Sequence, residues 1–240
     1  LEFVDSVSRE FGLGVVWIEA VVNPQKGKGC GYKVVTFETA ARNGEPFEQQ
    51  IKKYGLSNVN RLYCSRDLKG QPLDKYAREN HKGDLKAIGI RSDELDRINP
   101  NYKDKGFCYP LAFDFPTTKN EVNRFWRDQD FRLNLKHYQG NCKTCYKKSF
   151  RKLAWIMKES PESFNFMERM EVEHKHTNAI EHGIEEPIRI FRNNMTVEDI
   201  RALSQNAVEP VDDSKIYEVN GDLFGYDDFD SCGSESCEVY

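Results

Sequence analysis

From Val15 to Val22 the chain reads Val-Val-Trp-Ile-Glu-Ala-Val-Val. A run this short and this rich in β-branched residues suits a strand buried in a parallel sheet, because a buried helix would need a longer apolar stretch. Before it, Leu1, Val4, Val7 and Phe11 fall near helical spacing, and Gly12 and Gly14 end that segment. Helix followed by buried strand predicts an α/β fold. The pattern returns further on, where a helix candidate from Leu73 to Asn80 precedes a second apolar run, Leu85-Lys86-Ala87-Ile88-Gly89-Ile90. Asn23 to Tyr32, rich in Gly, Lys and Pro, predicts a loop.

The second half turns helical. Thr118 and Glu121 form a capping box ahead of Val122, Phe125 and Trp126, which predicts a helix near 119–128. Ser160 reads as an N-cap with Pro161 at the first helical position, and Thr196 caps a helix across Val197, Ile200 and Leu203. From Ala207 onward ten acids face one base, Lys215, so this tail carries −9 and the rest of the chain +5, for a net of −4. Such a tail is expected to be mobile, and a mildly basic body suits a nucleotide, a polyphosphate or a nucleic acid as well as it suits an ordinary mixed-charge surface. No apolar run approaches the roughly 20 residues that cross a bilayer, and no signal peptide opens the sequence, so the expectation is a cytoplasmic protein without a membrane role.

Seven cysteines, an odd number in a chain read as cytosolic, point to metal or redox chemistry rather than a disulfide framework. Gly140-Asn141-Cys142-Lys143-Thr144-Cys145 is the sharpest local signal, since two cysteines three apart can aim their sulfurs at one metal centre. An iron–sulfur site, a zinc knuckle and two unconnected structural cysteines all remain open at this point. Tyr63-Cys64-Ser65-Arg66-Asp67-Leu68-Lys69-Gly70-Gln71-Pro72-Leu73 places a cysteine and cationic side chains just before a helix, where cations and a helix N-terminus attract anions and lower a thiol's pKa. An exposed basic turn beside a buried cysteine is the other reading. Arg91, after Ile88-Gly89-Ile90, stands at the carboxyl end of an expected strand, where α/β sheets collect ligands and an arginine can hold phosphate bidentately. The alternative is a salt-bridged surface arginine.

Taken in order, these segments resemble the phosphoadenosine phosphosulfate reductase family. It is the sulfonucleotide-reductase branch of the PP-loop, or adenine nucleotide α-hydrolase, superfamily. The residues are Cys64-x4-Lys69-x2-Pro72-Leu73, then Gly89-Ile90-Arg91 with Glu94, then Tyr109-Pro110-Leu111 with Glu121-Val122 and Trp126, then Gly140 to Cys145. The resemblance spans roughly residues 1–158 and is nearest to phage- and prophage-type members. It implies a doubly wound, mostly parallel sheet with a helical C-terminal part. The domain plan that follows is an α/β domain over 1–158, a helical extension over 159–207 and an acidic, mobile tail over 208–240. Carried over by residue, it implies Lys69, Arg91 and Arg66 on the phosphate or sulfate of an adenine nucleotide substrate, an adenylylated sulfate or an ATP-type nucleotide. Cys64, Cys142 and Cys145 become ligands of a [4Fe-4S] cluster, with zinc as the alternative metal.

The match departs from the family in three places. Cluster-bearing reductases have two adjacent cysteines where this chain has Tyr63-Cys64, which leaves three ligands and makes Cys108 a candidate fourth. The phosphate-cradling loop of the superfamily has no counterpart. The pattern enters at Leu1 after the family's first strand, so either the N-terminal strand and PP-loop are missing from this piece, the preferred reading, or the protein is a short form that does not bind ATP in the family's manner. The end reads Ser231-Cys232-Gly233-Ser234-Glu235-Ser236-Cys237 in place of the family's catalytic tail, making Cys237 the candidate nucleophile and Cys232 the resolving thiol. Acidic neighbours oppose that role by raising a thiol's pKa. The activity implied is thiol-dependent reductive cleavage of an adenylylated sulfate, with thioredoxin or glutaredoxin as reductant. Two rivals stand beside it. One is sulfur transfer onto nucleic acid, with Lys143, Lys147, Lys148, Arg151 and Lys152 as a basic face. The other is a non-catalytic zinc-binding module.

Overall fold

After Val22 the chain returns within seven residues to pair with itself, and this decides the first sheet. The computed structural model describes residues 2–140, 142–178 and 187–210. In it α1 (Glu2–Glu10) precedes β1 (Trp17–Val22) and β2 (Cys30–Val35), which pair antiparallel from Trp17↔Val35 to Val22↔Cys30. Helices α2 (Glu45–Tyr54) and α3 (Tyr63–Ser65) follow, then a π-helical turn at Arg66–Gly70 that runs directly into α4 (Gln71–Asn80). Two short strands, β3 (Lys86–Ala87) and β4 (Phe107–Cys108), pair in parallel. The further α-helices among the described residues are α5 (Pro110–Phe113), α6 (Lys119–Arg127), α7 (Phe150–Glu159), α8 (Asn165–His174) and α9 (Val197–Ser204).

The doubly wound parallel sheet expected from the sequence is not formed among the described residues, where each of the two sheets has two strands. The physical reason at β1 is the length of the connection. A parallel partner needs a crossover of roughly a dozen residues or more, whereas a short link permits only an antiparallel return. Cys30 to Tyr32, expected in a loop, therefore belong to β2, and Val16, Val21 and Val34 stay exposed instead of buried on both faces of a central sheet. Of the second apolar run only Lys86–Ala87 pairs as a strand, extended by bonds from the Lys86 N–H to Gly106 O and from the Ile88 N–H to Cys108 O.

The described residues belong to two compact units, Leu1–Val15 with Tyr76–Asn134, and Val16–Lys75 with Leu135–Tyr240, and the boundary falls within α4. In the first unit Ile90, Tyr109 and Ala112 make a small core beside β3 and β4. There the expected capping box at α6 is present, Thr118 accepting from the Glu121 N–H while Glu121 accepts from the Thr118 N–H. The rings of Phe3, Phe11, Trp126 and Phe131 lie 4.9–6.2 Å apart, edge-on or tilted, so α1 and α6 meet through aromatic side chains.

The main core lies in the second unit. In α7, Leu153, Ala154, Ile156 and Met157 are buried at helical spacing behind the Ser149 cap, and they pack on Ile51, Phe164, Met170, Val197 and Ile200. From the segment expected as an extension, Phe164, Met167, Met170, Ile190, Val197 and Ile200 share one core with residues of α2 and α7. Ser160 makes no side-chain cap bond. Pro161 instead opens a 3-10 turn, Pro161–Phe164, ahead of α8. Thr196 and Asp199 do form a capping box at α9, and the buried Glu171 of α8 accepts from the Val197 N–H at 2.8 Å, joining the two helices.

Candidate functional site

The π-helical turn carries the densest chemistry of the second unit. One extra residue per turn widens the backbone, and such turns recur at functional sites because they displace side chains from the regular helical rows. Here the turn Arg66–Gly70 and α2 pack against β1. Asp67, 1% exposed, is therefore buried, whereas its neighbour Arg66 faces outward.

Asp67 holds Arg66 bidentately, with Nε to Oδ1 at 2.6 Å and Nη2 to Oδ2 at 3.1 Å. The guanidinium lies 5.2 Å from the Tyr54 ring centre and 5.1 Å from that of Tyr63, and these two rings stack at 5.1 Å. A planar cation held by a buried carboxylate and resting on two rings has little rotational freedom. Its outer edge remains toward solvent, so Arg66 is built to present a fixed positive fork. Gln71 extends the arrangement: its amide donates to Asp67 Oδ1 at 3.3 Å and its carbonyl accepts from the Cys30 N–H at 2.6 Å. Burial and the nearby Asp67 push the Cys30 thiol above its ordinary value, so it stays neutral.

Cys64 opens this segment. Its sulfur lies 3.3 Å from the hydroxyl of Tyr146, a residue 3% exposed that directly follows the Cys142-x2-Cys145 pair. The Cys145 N–H donates to Cys142 O, which folds the pair into a turn with Cys145 buried and Cys142 exposed. The fold thus brings the Cys64 segment onto the cysteine-pair loop. It does not gather the three thiols: among the described residues no three His, Cys, Asp or Glu side chains converge as a metal would require. As placed, these cysteines do not fit a cluster, and no chemical step is derived through one.

The other expected residues are distributed as follows. Lys69 is half-buried in the same π turn. Arg91 lies in the first unit, paired with Asp93 at 2.9 Å and Glu94 at 3.1 Å, so the ion-pair reading of this arginine is the one that its geometry displays. Cys108 is also in the first unit, in β4. Cys232 and Cys237 lie outside the described residues, as does the tail from 211 onward. Within the expected basic face, Lys148 is 4% exposed and its ammonium donates to Gly140 O at 2.7 Å. It tethers the cysteine loop from inside and faces no phosphate backbone. Tyr54, Asp67, Gln71 and Tyr146 carry the site without having been expected. Asp67 and Gln71 stood in the same segment as Arg66, while Tyr54 and Tyr146 arrive from other segments.

A protein of Escherichia phage lambda, described as an uncharacterized nin region protein ORF290, is 31% identical to this chain over 162 residues, 65% of this chain and 54% of that protein. The chain spans about half the length of that relative. No family model and no solved structure matches. Similarity to a phage protein agrees with the phage-type character of the motif set, and the relative's description states no activity. Among the described residues no helix is long and apolar enough to cross a membrane.

Proposed function

We propose that the chain is a phosphoadenosine phosphosulfate reductase-like protein that acts on an adenylylated sulfate. The observation that carries this reading is the contact between Cys64 and Tyr146, which joins two segments of the ordered motif set. Arg66, held by Asp67 over two tyrosine rings, supplies the fixed fork for the substrate's phosphate or sulfate, with Lys69 one helical turn along.

In the proposed reaction the Cys237 thiolate attacks the sulfate sulfur. The bond from sulfur to the bridging oxygen breaks, and the adenosine phosphate leaves with that electron pair. Cys232 then attacks the resulting thiosulfonate, releasing sulfite and forming a Cys232–Cys237 disulfide, which a dithiol donor of the thioredoxin or glutaredoxin type reduces. Arg66 and Lys69 neutralise charge on the leaving phosphate.

The test is an assay of sulfite release from an adenylylated sulfate with thioredoxin as reductant. Sulfite release that vanishes in Cys237→Ser is expected. Sulfite release undiminished in Cys237→Ser would overturn the tail mechanism, and no sulfite release by the folded wild type would overturn the reductase reading.

A further inference from the structure

A second concave site lies at the end of the β1–β2 hairpin. It is a cavity of about 550 Å³ whose lining includes Asn23, Lys28, Gly29, Cys30, Gly31 and Lys75. That volume is in the range of small-molecule sites. Lys28 and Lys75 are the only charged residues in the lining, which contains no carboxylate. Neither ammonium group has an ion-pair partner among the described residues.

The Lys75 ammonium lies over the hairpin, 3.6 Å from where a Cβ on Gly31 would stand, an ordinary contact distance. At position 29 a Cβ would come within 2.9 Å of Gln71 Oε1, the oxygen that accepts the Cys30 N–H. Asn23 stiffens the loop by accepting from the Gln25 N–H at 2.9 Å. The buried Cys30 thiol adds no negative charge, since burial and Asp67 keep it protonated. Two lysines with no counterion among the described residues, beside a pocket with no acid in its described lining, form a local positive potential in a chain whose net charge is −4.

We propose that this cavity binds a small molecule bearing a tetrahedral oxyanion, phosphate or pyrophosphate, between Lys28 and Lys75. Arg66 and Lys69 are not part of its lining, and the assignment does not depend on the reductase reading.

Isothermal titration of the full chain with inorganic phosphate and with pyrophosphate tests it, beside the Lys28→Gln/Lys75→Gln double variant and the Lys75→Arg and Arg66→Gln single variants. Circular dichroism verifies that each is folded. The expected result is saturable binding, tighter for pyrophosphate and weakened about tenfold or more in the double variant. Lys75→Arg should retain binding through its charge, and the part of the binding that the double variant loses should persist in Arg66→Gln. Three outcomes would overturn the assignment: no saturable binding of either anion by the folded wild type, equal binding by the double variant, or a loss that follows Arg66 instead.

Discussion

The Cys64 sulfur and the Tyr146 hydroxyl lie 3.3 Å apart across 82 residues of sequence. Tyr146 belongs to the main core and Cys64 packs against it, so the joint between the π-helical segment and the cysteine loop is a core contact. Tyr146→Phe keeps the ring and removes only the hydroxyl. It is expected to cost about 0.5–1.5 kcal/mol, seen as a lower urea midpoint at unchanged slope. An unaltered midpoint would show that the contact contributes nothing to holding the two segments together.

Gly55 closes α2 at φ +84°, and a Cβ there would stand 2.5 Å from the backbone carbonyl oxygen of Thr177. Neither the dihedral nor the collision can be relieved by turning a side chain. Gly55→Ala is therefore expected to destabilise the fold by more than the roughly 1 kcal/mol of an ordinary glycine replacement, measured by thermal unfolding. A variant as stable as the wild type would contradict the packing of residue 177 against this turn.

If Arg66 grips the substrate's anionic group, its orientation depends on Asp67. Asp67→Asn is expected to raise the Kd for an adenylylated sulfate about tenfold by loosening the fork. Arg66→Lys should lose as much, because an ammonium cannot reproduce the bidentate geometry. Unchanged affinity in both variants, with folding verified, would remove Arg66 from the binding site.

Glu171 supplies a pH signature. Burial pushes its carboxyl above the ordinary 4.5, opposed by the N–H groups of Val197 and Ile190 and by Arg189, and Asp199 raises it further. A group with a raised folded pKa contributes stability that is full below its unfolded value and is lost as pH rises through the folded one. Glu171→Gln keeps an acceptor for the Val197 N–H and cannot ionise. Urea midpoints of wild type and variant should therefore shift relative to each other in the variant's favour as pH rises from 4.5. Parallel curves would mean that Glu171 is as well solvated as in the unfolded chain. Surface carboxylates such as Glu159 and Asp93, held low by Lys136 and Arg91, act in the opposite sense in both proteins and drop out of the comparison.

The capping box at Thr118/Glu121 and the cap at Thr196 were legible in the chain because a cap depends on partners three residues apart. The helix α7, with Leu153, Ile156 and Met157 inward, was not expected from the sequence. Tertiary structure alone decided what those inward faces meet. An apolar run states that it will be covered but does not name its partner, so Trp17–Val22 pairs with the strand that a short link returns to it. Charge behaves likewise. Lysine and arginine read from sequence as free cations, and only the fold turned Lys148 inward to Gly140 and tied Arg66 to Asp67 and Arg91 to Asp93 and Glu94. The local chain therefore determined where α6 and α9 begin, because a cap and its partner lie three residues apart. Long-range encounters determined the meeting of Cys64 with Tyr146 and of Glu171 with the Val197 N–H, 82 and 26 residues apart, because no sequence spacing encodes such distances.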